Sequence, residues 1–255
     1  ACGLRNRKNP ITILCCDNIR QNGIVLETQF LAYLYRTNQH ELAGWIKKNV
    51  KFPSCMVDRI TPRTTDTLRQ EVEKIYPGFG HSAVQTEEYT QWVIEDNFAS
   101  EFPDLTQVGV VITKNIEPYE ETKIRILNGG HTSLAYIGAL SGYKTFDQVM
   151  SDPSHREHFK QLQSEEIIPS LDIDLPFDVY EYIEKVQERF SNATNLDVLD
   201  RICMDGFTKF HTFIVPSLRN CLEQGKRPTY IYKSIAAWYI YARRFARGCT
   251  KIKYQ

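Results

Sequence analysis

Pro118–Gly142, PYEETKIRILNGGHTSLAYIGALSG, carries Lys123, Asn128 and His131 in one largely apolar run. In an α-helix, at about 100° per residue, offsets of five and eight hold the three within an arc of about 140°. Leu127, Leu134 and Ile137 share part of that arc, which sets the polar trio against packing rather than open water. Burial disfavours the charged form of a lysine and makes it a candidate base. A carboxamide can donate to a developing alkoxide, and an imidazole can orient a hydroxyl or pass a proton. Together they suit the oxidation of an alcohol or its reverse. The same spacing also arises by chance, with solvated lysine and asparagine heads and a satisfied core histidine; geometry separates the two.

Gly129-Gly130 interrupts this run. Each glycine inside a helix costs about 1 kcal/mol relative to alanine. The pair either ends one helix and begins another, or admits the close approach of a ligand or another backbone. Pro118 suits a first helical position. Glu120 and Glu121 then complement the helix dipole, and Glu120, one turn before Lys123, could also carry an abstracted proton away.

Toward the N-terminus, Pro10–Ile19 reads as a buried strand ending in Asp17 and Asn18. Asn18 there is either a turn residue or a donor at the carboxyl end of a strand, where α/β sheets gather ligands. Val25–Asn49 has helical spacing with a break over 37–39. FPSCMVDRITPRTTD reads as extended, framed by prolines, with Asp58 and Arg59 in its middle. Gln91–Phe98 and Val108–Thr113 read as further strands, which with the first look like the closing part of an α/β domain. No G-x-G-x-x-G occurs in the chain.

Beyond Gly142 the pattern is helical. Phe146–Met150 starts a helix limited by Pro153, and Arg156–Ile168 carries charges and a few apolar positions. Asp174-Leu-Pro176 marks the start of a helix with Tyr180, Ile183, Val186 and Phe190 on one face. Leu196–Met204 reads as a short helix closed by Asp205-Gly206. Lys233–Arg247 is amphipathic, with Ile235, Trp238, Tyr239, Ala242 and Phe245 on its apolar side. Arg201 and Lys209 are two cations near the Asp205-Gly206 turn, where such residues usually meet solvent.

The 255 residues suffice for one large domain or two smaller ones. Lys plus Arg equals Asp plus Glu at 31 each, which gives no reason to expect nucleic acid or an anionic membrane as partner. No apolar run approaches a membrane span. Seven cysteines, in irregular spacing and without a C-x-x-C pair, fit reduced cytosolic thiols and offer no zinc-ligand pattern. The cytoplasm is the expected location.

Several blocks in order resemble the polyol-specific long-chain dehydrogenases, the mannitol 2-dehydrogenase family. KIRILNGGH matches the Lys-x4-Asn-x2-His signature. ITILCCDNIRQNG, WIKKNVKFPSCMVDRITP, QWVIEDNF and RICMDGFTK look like further family blocks, and the resemblance covers nearly the whole chain. VDRITP and the Lys-Asn-His block are the specific parts. The implied fold is an α/β remnant of a Rossmann-like domain followed by a mainly α-helical substrate and catalytic domain. Residues 1–114 would form the closing part of the dinucleotide-binding domain with the inserted VDRITP segment, and 115–255 the helical domain.

The resemblance implies zinc-independent interconversion of a mannitol-like polyol and its ketose, with NAD or NADP as cofactor. In that scheme Lys123 is the general base, and Asn128 and Asn18 hold the reacting oxygen. His131, Asp58, Arg201 and Lys209 bind the other hydroxyls, and Glu120 passes the proton to water. Phe207 and His211 depart from the small polar residue and proline expected there. The family's glycine-rich turn lies upstream of this sequence, which also lacks an initiator methionine and looks shortened at its C-terminus. The residues that would hold the cofactor are therefore expected outside it. A hexuronate reductase of the same superfamily is the alternative, since Arg201 or Lys209 could meet a carboxylate. A non-catalytic fragment that binds no cofactor is another. The polyol, the choice between NAD and NADP and the assembly state are not legible.

Overall fold

A computed structural model describes residues 9–194 and 197–248. Cys2, Cys249 and the first position of the helix expected over 196–204 lie outside them. In chain order the first elements are β1 (Ile11–Thr12), α1 (Asn22–Arg36), α2 (His40–Asn49), β2 (Val50–Lys51), β3 (Cys55–Asp58), α3 (Asp66–Ile75), β4 (Gln91–Glu95) and β5 (Val111–Thr113). Then follow α4 (Glu117–Thr122), α5 (Gly129–Leu140), α6 (Phe146–Ser151), α7 (Pro153–Gln161), α8 (Val179–Phe190), α9 (Leu199–Ile202), α10 (Gly206–Lys209), α11 (Val215–Glu223) and α12 (Thr229–Ala246). Among the described residues three π-helical segments interrupt the helices, at Lys123–Asn128, Leu162–Ile167 and Phe210–Ile214. The chain divides into two compact units: residues up to Arg59 with Thr90–Glu120, and Ile60–Tyr89 with the residues from Glu121 onward.

The first unit holds two sheets instead of the single one expected. β1 pairs in parallel with β2 over two residues. β3, β4 and β5 form a separate sheet, antiparallel between β3 and β4 and parallel between β4 and β5. The strand expected over Pro10–Ile19 stops at Thr12 for a local reason. The buried Asn22 side chain accepts the Cys55 N–H at 2.9 Å and donates to the Cys55 and Asp17 carbonyls at 2.7 and 2.9 Å. A side-chain amide thus occupies backbone groups that a longer ladder would use. The break over 37–39 is present, with Asn38 in the left-handed region. Leu34, Leu42, Ala43, Ile46, Val50 and Phe52 form one core cluster of this unit. Cys55, Met56, Val93, Ile94, Val110 and Ile116 form another. Burial pushes the Cys55 thiol up to about 12.

The second unit is helical and organised on α5, which packs against α12, α9, α7 and α6. Leu134, Ala135 and Tyr136 of α5 join Phe146, Phe159, Leu162, Phe190, Leu199, Phe210 and Ile231 in one continuous core. The Ile60–Tyr89 segment is tied to this unit by a buried ion pair, Glu87 to Arg189 at 2.7 Å, with the Arg189 guanidinium also over the Tyr89 ring. Two expectations need correction. α8 starts at Val179, not at Pro176, because the Asp178 carboxylate caps it by accepting from Tyr180 N–H at 2.8 Å; Tyr180 consequently points to solvent, away from Ile183, Val186 and Phe190. On α12 the buried face is Ile231, Ser234, Ala237 and Tyr241, while Tyr239 and Ala242 are exposed. Ile235 and Trp238 of the expected stripe do pack against the core, and the fully buried line runs beside them at helical spacing from Ile231.

Candidate active site

The second unit carries five of the expected residues. Lys123 and Asn128 bound the first π segment, and Lys123 is buried. The α-helical arc expected from their spacing does not apply. In an α-helix an offset of five leaves two residues about 140° apart. In a π turn each N–H reaches the carbonyl five residues back, so residues five apart stand roughly one above the other. The π register brings the lysine and the carboxamide to the same side, which an α-helix would not.

Asn128 is half-buried, and its Nδ2 is a fully buried donor with no hydrogen-bond partner among the described residues. Such a donor costs about 1–3 kcal/mol when unsatisfied. A ligand oxygen would relieve it.

His131 follows on the first turn of α5. Its ring stacks on Phe190 at 5.0 Å and meets the Phe146 ring edge-on at 4.3 Å. Its Nε2 lies 3.3 Å from Asp197 Oδ2, an ion-pair distance without hydrogen-bond alignment. Burial pulls the imidazole pKa below its ordinary value, and the Asp197 carboxylate opposes that pull. The other oxygen of Asp197 accepts two N–H groups of Arg201, one from Nε at 3.0 Å. Asp197 is itself buried, which works to raise its pKa, but His131 and Arg201 hold it below the ordinary carboxylate range. Lys209 donates from Nζ to the Ile202 carbonyl at 2.8 Å. Burial, and next the Arg201 charge, lower its pKa. His131, Arg201 and Lys209 are thus gathered around Asp197, a residue that did not figure among the expected ones. The signal for it was the spacing of four to Arg201 across a helix start. His131, Asp197, Ile60, Phe146 and Phe190 line a small cleft with Asp147 and Arg189.

The first unit carries the remaining three. Asn18 is exposed, in the bend after β1, and its N–H bonds Asp17 Oδ1 at 2.8 Å. Asp58 is buried at the end of β3. Glu120 is buried in α4, and both its oxygens accept the Gln21 N–H, at 3.1 and 3.2 Å. Gln21 is the left-handed residue that opens α1, so the carboxylate meets the positive end of that helix. Its structural role is on α1 as well as on its own helix. Among the described residues no three His, Cys, Asp or Glu side chains cluster as metal ligands, and no helix is long and apolar enough to cross a membrane.

Comparison with known proteins bears on the two halves of the chain. The mannitol dehydrogenase Rossmann domain matches residues 2–107, and the mannitol dehydrogenase C-terminal domain matches residues 115–254. The chain is 38% identical over 236 residues to mannitol dehydrogenase 2 of Saccharomyces cerevisiae, covering 91% of this chain and 46% of that protein. It is 36% identical over 246 residues to D-arabinitol 4-dehydrogenase of Ralstonia nicotianae, covering 96% and 53%. Among solved structures, the Pseudomonas fluorescens mannitol 2-dehydrogenase ternary complex with NAD and D-mannitol superposes with a TM-score of 0.80 at 35% identity, over 91% of this chain and 47% of that one. The chain spans about half the length of the curated relatives it matches. With the Rossmann domain matched over 2–107 and the C-terminal domain over 115–254, the chain belongs to the mannitol dehydrogenase family.

Proposed function

We propose that this chain carries the substrate-side machinery of a cytoplasmic, NAD(P)-dependent polyol dehydrogenase that interconverts a mannitol-like polyol and its ketose. The observation that carries the reading is the pairing of the buried Lys123 with the unpartnered Asn128 amide on one π turn. Lys123, as free amine, takes the proton of the reacting hydroxyl. Asn128 donates to the alkoxide as its charge develops. His131, Arg201 and Lys209, arranged around Asp197, bind further hydroxyls. In the same reading Asn18 supplies a second amide donor, Asp58 accepts a hydroxyl proton and Glu120 passes the abstracted proton to water. In this reading residues 1–114 are the closing part of the dinucleotide-binding domain and lend Asn18 and Asp58 to the sugar, and 115–255 carry the other sugar-binding groups.

A nicotinamide supplies the hydride acceptor in this chemistry. The residues present do not include the glycine-rich turn that holds a pyrophosphate; what they do is bind the polyol and move its proton. A hexuronate substrate would need a cation for its carboxylate, but Arg201 already serves Asp197, and Lys209 is tied to the Ile202 carbonyl. Both favour the neutral polyol. The test is Lys123→Ala in the intact protein. Polyol oxidation should fall by about a thousandfold or more while the polyol still binds. Undiminished turnover would refute the base assignment, and faster reduction of fructuronate than of fructose would refute the substrate class.

A further inference from the structure

The π register of Lys123–Asn128 is braced from its neighbours. This segment packs against both other π segments, Leu162–Ile167 and Phe210–Ile214. From the former, the fully buried Gln163 sends its Nε2 to the Ile126 carbonyl at 3.2 Å, between the two functional positions. Gln163 Oε1 has no partner among the described residues, so the buried amide is held there through its Nε2. Gly130 makes the approach possible. A Cβ there would stand 2.7 Å from Gln163 Nε2 and 2.4 Å from the Phe159 ring. Gly129 performs the same service on the other side, where a Cβ would lie 3.2 Å from the Phe213 carbonyl. The glycine pair therefore admits two neighbouring elements to the π turn. Arg125, also in the segment, adds bonds from Nε to Ser217 Oγ at 2.8 Å and from Nη2 to Ser170 Oγ at 2.7 Å.

Carbonyls in a π turn do not receive the N–H four residues on that an α-helix would give them. The Ile126 carbonyl, which also meets the Gly129 N–H, takes a donor fixed from outside, and that bond ties the middle of the π segment to Leu162–Ile167. We infer that Gln163 is a positioning residue: its side-chain amide holds the π register of 123–128, and so the alignment of the Lys123 amine with the Asn128 amide. The inference rests on the roles given above to those two residues.

The experiment compares Gln163→Leu with the parent and with Lys123→Ala in the intact protein, with mannitol as the probe. Gln163→Leu keeps the side-chain bulk and removes the donor. The expected result is a fall in kcat of about 10- to 100-fold, a KM for mannitol within about threefold of the parent, and a shifted pH profile of kcat. A crystal structure of the variant should show the Asn128 N–H on the Ile124 carbonyl, the α partner, in place of Lys123. A protein that merely tolerates a core change would move neither the pH profile nor that hydrogen bond. If Gln163→Leu does not fold, Gln163→Met is read by the same measurements. Unchanged kcat, pH profile and π register, with Lys123→Ala inactive, would overturn the role of Gln163 and leave the base assignment standing. An active Lys123→Ala would remove the base assignment, and the altered hydrogen bond at Asn128 would then decide for or against Gln163 by itself.

Discussion

Asp197 divides its two oxygens between His131, 3.3 Å from Oδ2, and Arg201, bonded to Oδ1. The carboxylate raises the His131 pKa, against burial and the charges of Arg201 and Lys209. Asp197→Asn should therefore lower the His131 pKa further and free Arg201. An NMR titration of the His131 ring checks the first effect, and the KM for polyol, expected to rise about tenfold, checks the second. A His131 pKa that rises in the variant would show that the carboxylate does not govern it.

Burial also gives the protein a stability that depends on pH. The pKa of His131 is lowered from 6.5, and that of His158 from the same value to about 4, chiefly by desolvation. Both rings bind protons more tightly in the unfolded chain. Their contribution is fully present above about pH 6.5 and declines as the pH falls from there toward the folded values. The slope reaches about 1.4 kcal/mol per pH unit for each proton taken up. Glu166, raised by burial, works in the opposite sense, so the comparison is between a variant and its parent. His158→Gln should lose less stability than the parent in urea titrations between pH 6.5 and 4.5. Parallel losses would show that His158 is not held neutral.

Two glycines in helices should respond in opposite ways to alanine. Gly44, on the exposed side of α2, has nothing within 4 Å of an added Cβ. Gly44→Ala should stabilise by about 0.5–1 kcal/mol. Gly130→Ala gains the same propensity, but its Cβ meets Phe159 and Gln163 below contact distance. Overpacking of that kind costs about 1–3 kcal/mol, so the net change should be destabilising. Denaturant midpoints measure both; a stabilised Gly130→Ala would show that the Phe159 ring can yield.

These examples mark what the residue order disclosed. The Lys-Asn-His run, the helical second half, the break near Asn38 and the extended VDRITP stretch were all legible, because proline, glycine and apolar period act locally. The π register was not. An α-helical wheel assumes one N–H partner per residue, whereas the extra residue between Lys123 and Asn128 is held by Gln163, some 35–40 positions away in sequence. The role of Gly129-Gly130 was open between a helix boundary and a close approach, and the approach of Phe159, Gln163 and the Phe213 backbone explains it. β1 was overestimated because an apolar, β-branched run says nothing of Asn22 taking the bonds of Cys55. Asp197 escaped notice because its importance comes from two partners, one of them 66 residues earlier in the chain.

Glu120 offers two roles that one pair of variants separates. Both its oxygens serve the Gln21 N–H at the start of α1. Glu120→Gln keeps an amide oxygen that can accept this bond, but an amide cannot take a proton from Lys123 and hand it to water at neutral pH. Glu120→Ala removes both capacities and leaves a helix-opening N–H without its acceptor, at about 0.5–2 kcal/mol. If Glu120 only caps α1, Glu120→Gln should melt near the parent and turn over near the parental rate, and Glu120→Ala should be the less stable. If it also relays the proton, Glu120→Gln should stay folded yet lose about 10²- to 10⁴-fold in kcat, with small weak bases added to the assay restoring part of the rate. The proposed function expects this second pattern. Full activity in a stable Glu120→Gln would leave Glu120 a structural role alone.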